Sequence, residues 1–373
     1  MTANVIDRTN ENENENENAG QLPNLAAQTP ARDAKGEVRA LWDTAADDEG
    51  GRPHILVPLD GSPRAAAALP HALTLARAFE ARISLLAVVE PFPKHTNVPS
   101  ATEQEADERR VTESTAYLES VAIPLRARGL TVTTGVRHGN PAREILGASE
   151  NGECSLIVIG THGRTGLERM RMGSVAQHVV RHAIIPALVV PPVRDTLTHD
   201  DAPITGITVP LDGSPLAEAA LPIATRIATA LSVPLTLFQV IPSIAGQSMG
   251  WGAGYESYYY PVSEEMEHDE EEAVAEYLQA VATPLRARGL TVQAVWQRSV
   301  MSRAEEIILA YLPPSGIAVM ASHGRGGVLR WALGSTAEAV LDRAPCPILI
   351  VRAGATAHTG REGPPALAGQ RVG

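Results

Sequence analysis

Ser155-Leu-Ile-Val-Ile-Gly-Thr-His-Gly163, followed after nine residues by Gly173-Ser174, decides the fold of this 373-residue chain. Ser155 to Ile159 is a short apolar run that reads as a buried strand. The glycines after it let the backbone bend tightly and approach a ligand with no Cβ in the way. Gly173-Ser174 then opens a segment of helical apolar period, Val175 to Ala183. The first N–H groups of a helix have no partner within it, and the dipole adds positive charge there, so such a terminus favours phosphate. Strand, spaced glycines and helix start therefore read as a phosphate cradle. The spacing returns in Ala321-Ser-His-Gly324, nine residues, and Gly334-Ser335, again after an apolar run, Ile317 to Met320.

The repetition extends to whole domains. Ile55-Leu-Val-Pro-Leu-Asp-Gly-Ser-Pro63 recurs 152 residues later as Ile207-Thr-Val-Pro-Leu-Asp-Gly-Ser-Pro215. Pro124-Leu-Arg-Ala-Arg-Gly-Leu-Thr-Val132 recurs 160 residues later, from Pro284. The offset grows by eight, which places an insertion in the second copy, in the Gly/Tyr-rich stretch 244–261. A repeat of about 150 residues is a domain rather than a solenoid unit. The expected organisation is a tail at 1–51, a first domain at 52–193, a Pro/Asp-rich linker at 194–203, a second domain at 204–352 and a tail at 353–373. Both tails have the composition of disorder; Glu11 to Asn18 alternates Glu and Asn with no apolar residue to offset ordering entropy.

Composition narrows the function. Aromatics make up 4% of residues, so the cores must be built from Ala, Val, Leu and Ile. No apolar run reaches the ~18 residues of a membrane helix, the N-terminus lacks the regions of a signal peptide, and the two cysteines occupy non-equivalent places in the copies. A cytoplasmic location is the default expectation, without membrane or disulfide framework. A formal net charge of −12 argues against nucleic acid as partner. It also repels free nucleotides, so a phosphate site needs local cations. Arg164, Arg169 and Arg171 in the first loop, and Arg325 and Arg330 in the second, are the candidates, with solvated loop arginines as the alternative.

Within one copy, His54–Leu59, Ile83–Val89, Leu130–Val136, Leu156–Ile159 and Ala187–Val190 read as strands. Helices are predicted over 65–81, 102–128, 142–149 and 174–183. Ser62-Pro63 is an N-cap followed by a first helical residue. Pro70, matched by Pro222, implies a bend or a later start for the first helix, and Pro124 a break in the second, which Gly129 ends. Alternating strands and helices with unbroken apolar strands give an α/β fold of two open, doubly wound domains. Each is a five-stranded parallel sheet with helices on both faces, Rossmann-like in architecture. Ligands of such sheets bind beyond the carboxyl ends of the strands, where the strand order reverses. Strands one and four flank that point, so Asp60 and Gly160 fall at one crevice.

At these residues the chain resembles the universal stress protein family, in its tandem-domain form. The matching elements are Val57-Pro-Leu-Asp-Gly-Ser62, the spaced glycines from Gly160 to Ser174, and Pro186-Ala-Leu-Val-Val190. The resemblance implies binding of ATP or another adenine nucleotide, and pairing of the two domains through strand five, with a homodimer as a further possibility. Carried over residue by residue, Pro58 and Asp60 would face adenine and ribose, and Val88 would offer backbone groups to the adenine edge. Gly160, Gly163 and Arg164 would approach ribose and phosphates, and Gly173, Ser174 and Val175 would supply donors. The second copy offers Pro210, Asp212, Val240, Gly324, Arg325, Gly334, Ser335 and Thr336. It departs in Ala321 for the first glycine, where a methyl is expected to crowd the ribose, and in Ser299-Val-Met-Ser302 for Gly139-Asn-Pro-Ala142.

Other constellations weigh less. Asp60 and the two serines also suit plain turn and cap roles. His162 and His323 read as turn residues before general bases. His178 and His182 have metal-ligand spacing without a third ligand, so a solvated helix face is the better reading and no metal site is assigned. Cys346, between Pro345 and Pro347, reads as packing, and Cys154 as a loop or strand-edge residue. No GxxxxGK[ST] loop, GxGxxG motif or Ser/His/Asp set is present. Three readings follow: a nucleotide-dependent switch or scaffold in stress response, a slow ATPase with magnesium held by Asp60 and phosphates, and a nucleotide-free interaction module. None makes the chain a fast enzyme.

Overall fold

The computed structural model describes residues 52–91, 101–150, 154–161, 172–192, 201–242, 264–299, 302–322 and 333–353. The expectations for both tails and for the insertion at 244–261 lie outside the described residues. The first half runs β1 (His54–Pro58), α1 (Pro63–Ala66), α2 (Ala68–Ala78), β2 (Arg82–Val89), α3 (Ala101–Ala127), β3 (Val132–His138), α4 (Pro141–Ser149), β4 (Leu156–Gly160), α5 (Ser174–His182) and β5 (Ala187–Val190). The second repeats it: β6 (Ile207–Leu211), α6 (Pro215–Glu218), α7 (Leu221–Leu231), β7 (Leu235–Ile241), α8 (Glu264–Ala287), β8 (Val292–Arg298), α9 (Ala304–Tyr311), β9 (Ile317–Ser322), α10 (Ser335–Arg343) and β10 (Ile348–Arg352).

All ten strands form one sheet in the order β3-β2-β1-β4-β5-β10-β9-β6-β7-β8. Each half is parallel throughout. The halves join antiparallel, with Ile348 opposite Val189 and Ile350 opposite Ala187. The carboxyl ends of the two sets of strands therefore point in opposite directions. Strand period sorts the core into two layers. Ile55, Val57, Leu156, Val158, Leu188 and Val190 face α1–α3 and, across the junction, α6–α8. Leu56, Ile157, Ile159, Ala187 and Val189 face α4, α5, α9 and α10. Each such Leu, Ile or Val contributes about 1.5–3 kcal/mol by burial, and both layers run unbroken through the seam.

The prolines follow the sequence reading at one point and depart from it at another. The first helix breaks at Ala67, and Pro70 falls in the first turn of α2, where its missing N–H is no loss. Pro222 sits likewise in the first turn of α7. Pro124, expected to break its helix, lies inside a continuous α3, as Pro284 does inside α8. Burial of Leu118, Val121, Ala122 and Leu125 holds the turn on both sides of it. The strand expected at 130–136 starts two residues later. Gly129, at φ +82°, closes the helix, and the Leu130 N–H donates back to the Leu125 carbonyl.

The junction carries polar links as well. The Ala202 N–H donates to the Pro70 carbonyl at 3.2 Å, and Arg77 pairs with Asp201 at 3.0 Å, so the end of the linker docks on α2. On the opposite face Arg181 of α5 pairs with Glu338 of α10 at 2.6 Å.

Candidate functional site

β1 lies between β2 and β4, pairing Ile55 with Leu156 and Pro58 with Leu86. The chain leaves β1 for α1 and α2 on one face, and leaves β4 for α5 on the other. The departure of helices on opposite faces from neighbouring strands is the arrangement that opens a crevice at the switch point of such sheets. β6, between β7 and β9, repeats this in the other half of the sheet.

The β1 end is a tight turn. Asp60 Oδ1 accepts the Ser62 N–H at 2.9 Å, Gly61 takes φ +80°, and Ser62 Oγ caps α1 by accepting the Ala65 N–H at 3.1 Å. Asp212, Gly213 and Ser214 do the same, with Ser214 Oγ also donating to Asp212 Oδ1 at 2.6 Å. One oxygen of each aspartate thus serves its own turn. Pro58 and Pro210 are buried, Asp60 and Val88 half-buried, and Asp212 exposed. Val88 stands two residues beyond the last β1–β2 pair, where β2 forms the side of the crevice.

The two glycine positions of the cradle have different reasons. A Cβ on Gly160 would lie 2.5 Å from the Arg64 carbonyl oxygen and 3.1 Å from Ala65 Cα, so glycine is required there by the packing of α1. Ala321, at the matching position of β9, packs its methyl against the α6–α8 layer of the core. That methyl, expected to crowd a ribose, is half-buried there. Gly334 is the reverse case. It caps α10 at φ −55°, ψ 152°, an ordinary extended conformation, and as glycine brings no side chain to the helix start. Among the described residues, a Cβ added to it meets nothing within 4 Å. Neither its backbone conformation nor the packing of the described residues asks for glycine at that point. Gly173 caps α5 in nearly the same conformation, φ −61° and ψ 151°, also without a side-chain cap, and its own N–H donates to the Thr161 carbonyl at 2.5 Å.

Pro58, Asp60, Val88, Gly160, Gly173, Ser174 and Val175 all lie on elements that end or begin at the first crevice. Pro210, Asp212, Val240, Gly334, Ser335 and Thr336 do so at the second. Gly163, Arg164, Gly324 and Arg325, with His162, His323 and the remaining loop arginines, lie outside the described residues. Sequence reasoning missed Tyr277, whose hydroxyl donates to Glu218 Oε1 at 3.0 Å beside the second turn. Burial, Glu218 and Asp212 together push its phenol well above the usual range. The only signal was Glu218 standing where the first copy has Ala66. His178 and His182 stack with centroids 4.0 Å apart, and among the described residues no group of three metal-ligating side chains occurs. Cys154 lies in the loop just before β4, as expected, and is buried, its Sγ 3.8 Å from His54 Nδ1. Burial pushes the Cys346 thiol up to about 11. Among the described residues no helix is long and apolar enough to cross a membrane.

Comparison with known proteins agrees with this architecture. A universal stress protein of Mycolicibacterium smegmatis is 28% identical over 319 residues, spanning 80% of this chain and 96% of its own length. One from Methanocaldococcus jannaschii is 36% identical over 137 residues, 36% of this chain and 80% of that protein. The crystal structure of a universal stress protein from Archaeoglobus fulgidus superposes on 80% of this chain and 98% of its own with a TM-score of 0.57, at 20% identity, a likeness of fold. The model of the universal stress protein family matches twice, at residues 51–191 and 204–352. The chain belongs to the universal stress protein family and carries two copies of its domain.

Proposed function

We propose that each crevice binds an adenine nucleotide, ATP foremost, and that the chain acts in stress response as a nucleotide-dependent switch or scaffold. The observation that carries this reading is Gly334. A glycine demanded neither by its conformation nor by the packing of the described residues, at a helix start to which it brings no capping side chain, leaves room there for a group from outside the chain. In this reading the amides of Ser174 and Val175, and of Ser335 and Thr336, take the phosphates. Asp60 and Asp212 take the ribose, and the backbones of Val88 and Val240 the adenine edge, with Gly163, Arg164, Gly324 and Arg325 completing the loops. Magnesium accompanies the phosphates. Contacts between nucleotide and glycine loop then bias the surface offered to a partner protein.

Binding without rapid turnover fits the residues better than catalysis. Phosphoryl transfer needs a positioned base and a metal clamp, whereas each aspartate commits Oδ1 to its own turn. Titration calorimetry of the full chain with ATP and magnesium tests the proposal, with saturable binding as the expected result. No saturation at millimolar ATP would refute it. Phosphate release abolished by Asp60→Ala would favour the slow-ATPase reading instead.

A further inference from the structure

A side-chain link runs from the helix of the first crevice to the helix of the second. α5 starts at Ser174 in the first crevice and ends at His182, about 12 Å along its axis. Arg181, in its last turn, places Nη2 2.6 Å from Glu338 Oε1. Glu338 lies in the first turn of α10, and its N–H donates to the carbonyl of Gly334, the N-cap that opens the second crevice, at 2.9 Å. Arg352, at the end of β10, steadies the same corner by donating to the carbonyls of Ala183 and Arg181. The repeat does not mirror this. The positions matching Arg181, Glu338 and Arg352 are Asp342, Gln177 and Pro191, which cannot form the pair or the clasp.

A carboxylate in the first turn of α10 suits the helix dipole but repels a phosphate brought to that turn. We propose that Arg181, a residue of the first half, is a positioning residue of the second crevice. It holds the Glu338 carboxylate toward the seam and offsets its charge, so that the second site's affinity for a phosphate-bearing ligand depends on the docking of α5. This inference rests on the nucleotide reading above. The two side chains are 36% and 42% exposed, so solvent screens the pair. The expected effect is modest, about two- to fivefold in affinity.

The test uses the full chain carrying Gly173→Asp, which closes the first crevice, titrated with ATP and magnesium at low and high salt. Arg181→Gln is expected to weaken binding at the second site about two- to fivefold at low salt and less at high salt. Adding Glu338→Gln to Arg181→Gln is expected to restore it, which a merely structural loss would not do. Unchanged affinity in Arg181→Gln, or a double variant as weak as the single one, overturns this inference alone. If no ATP binds once the first crevice is closed, the second is not a nucleotide site and the inference falls. If the unaltered chain binds none, the nucleotide reading fails with it.

Discussion

Replacing Gly334 with aspartate should pull stability and binding in opposite directions. The site already has N-cap geometry, φ −55° and ψ 152°, and room for a Cβ. An aspartate there accepts a first-turn N–H and meets the positive end of the dipole. That gains a few tenths of a kcal/mol over glycine, up to about 1. Glu338 in the same turn trims the gain by about 0.3. For a bound triphosphate the same carboxylate is a like charge at about 4 Å, opposing it by about 1 kcal/mol in water-like surroundings and about 4 where solvent is partly excluded. It also competes for the amides. At about 1.4 kcal/mol per decade, second-site affinity should fall about tenfold or more. Calorimetry would then count one fewer site per chain, while urea unfolding shows the variant no less stable than its parent. ATP binding within twofold of the parent, with the fold intact, would refute the assignment of this helix start to phosphate. A large loss of stability would refute the reading that glycine is not structurally required there.

Gly160→Ala should destabilise the first half by about 1–3 kcal/mol, because its methyl meets α1 backbone rather than a flexible side chain. Ala321→Gly should show only the ordinary loss of about 0.5–1 kcal/mol for glycine in a strand, and paired urea titrations give the difference. Cys346 has its thiol raised from 9.0 to about 11 by burial, so folding favours the protonated form; that stability is complete below about pH 9 and lost as pH rises towards about 11. Two units amount to about 2–3 kcal/mol, and Cys346→Ala should lack this part of the alkaline decline in a pH series of urea unfolding. Ser62→Ala removes the cap on α1 and should lose about 1 kcal/mol by the same assay.

Much of this architecture is legible in the residues because period, caps and turns agree. Asp60-Gly-Ser-Pro63 announces the turn and the capped helix at once, and the structure has both. The break in α3 expected from Pro124 did not occur, since propensity counts local loss and four buried neighbours outweigh it. Gly160 reads as a ligand glycine in sequence because its spacing is local, whereas the α1 backbone that requires it approaches from nearly a hundred residues away. Arg181 and Glu338 carry no signal at all. Nothing in either helix marks a partner 157 residues distant, and only the antiparallel seam brings them together.

The seam has one consequence for how this molecule associates. By pairing β5 with β10 in a single polypeptide, the chain has used both inner edges on itself and left β3 and β8 as the outermost strands. Contact between the halves is therefore first order and indifferent to dilution. Among the described residues, the outer strands and the helical faces are what is left for any higher assembly.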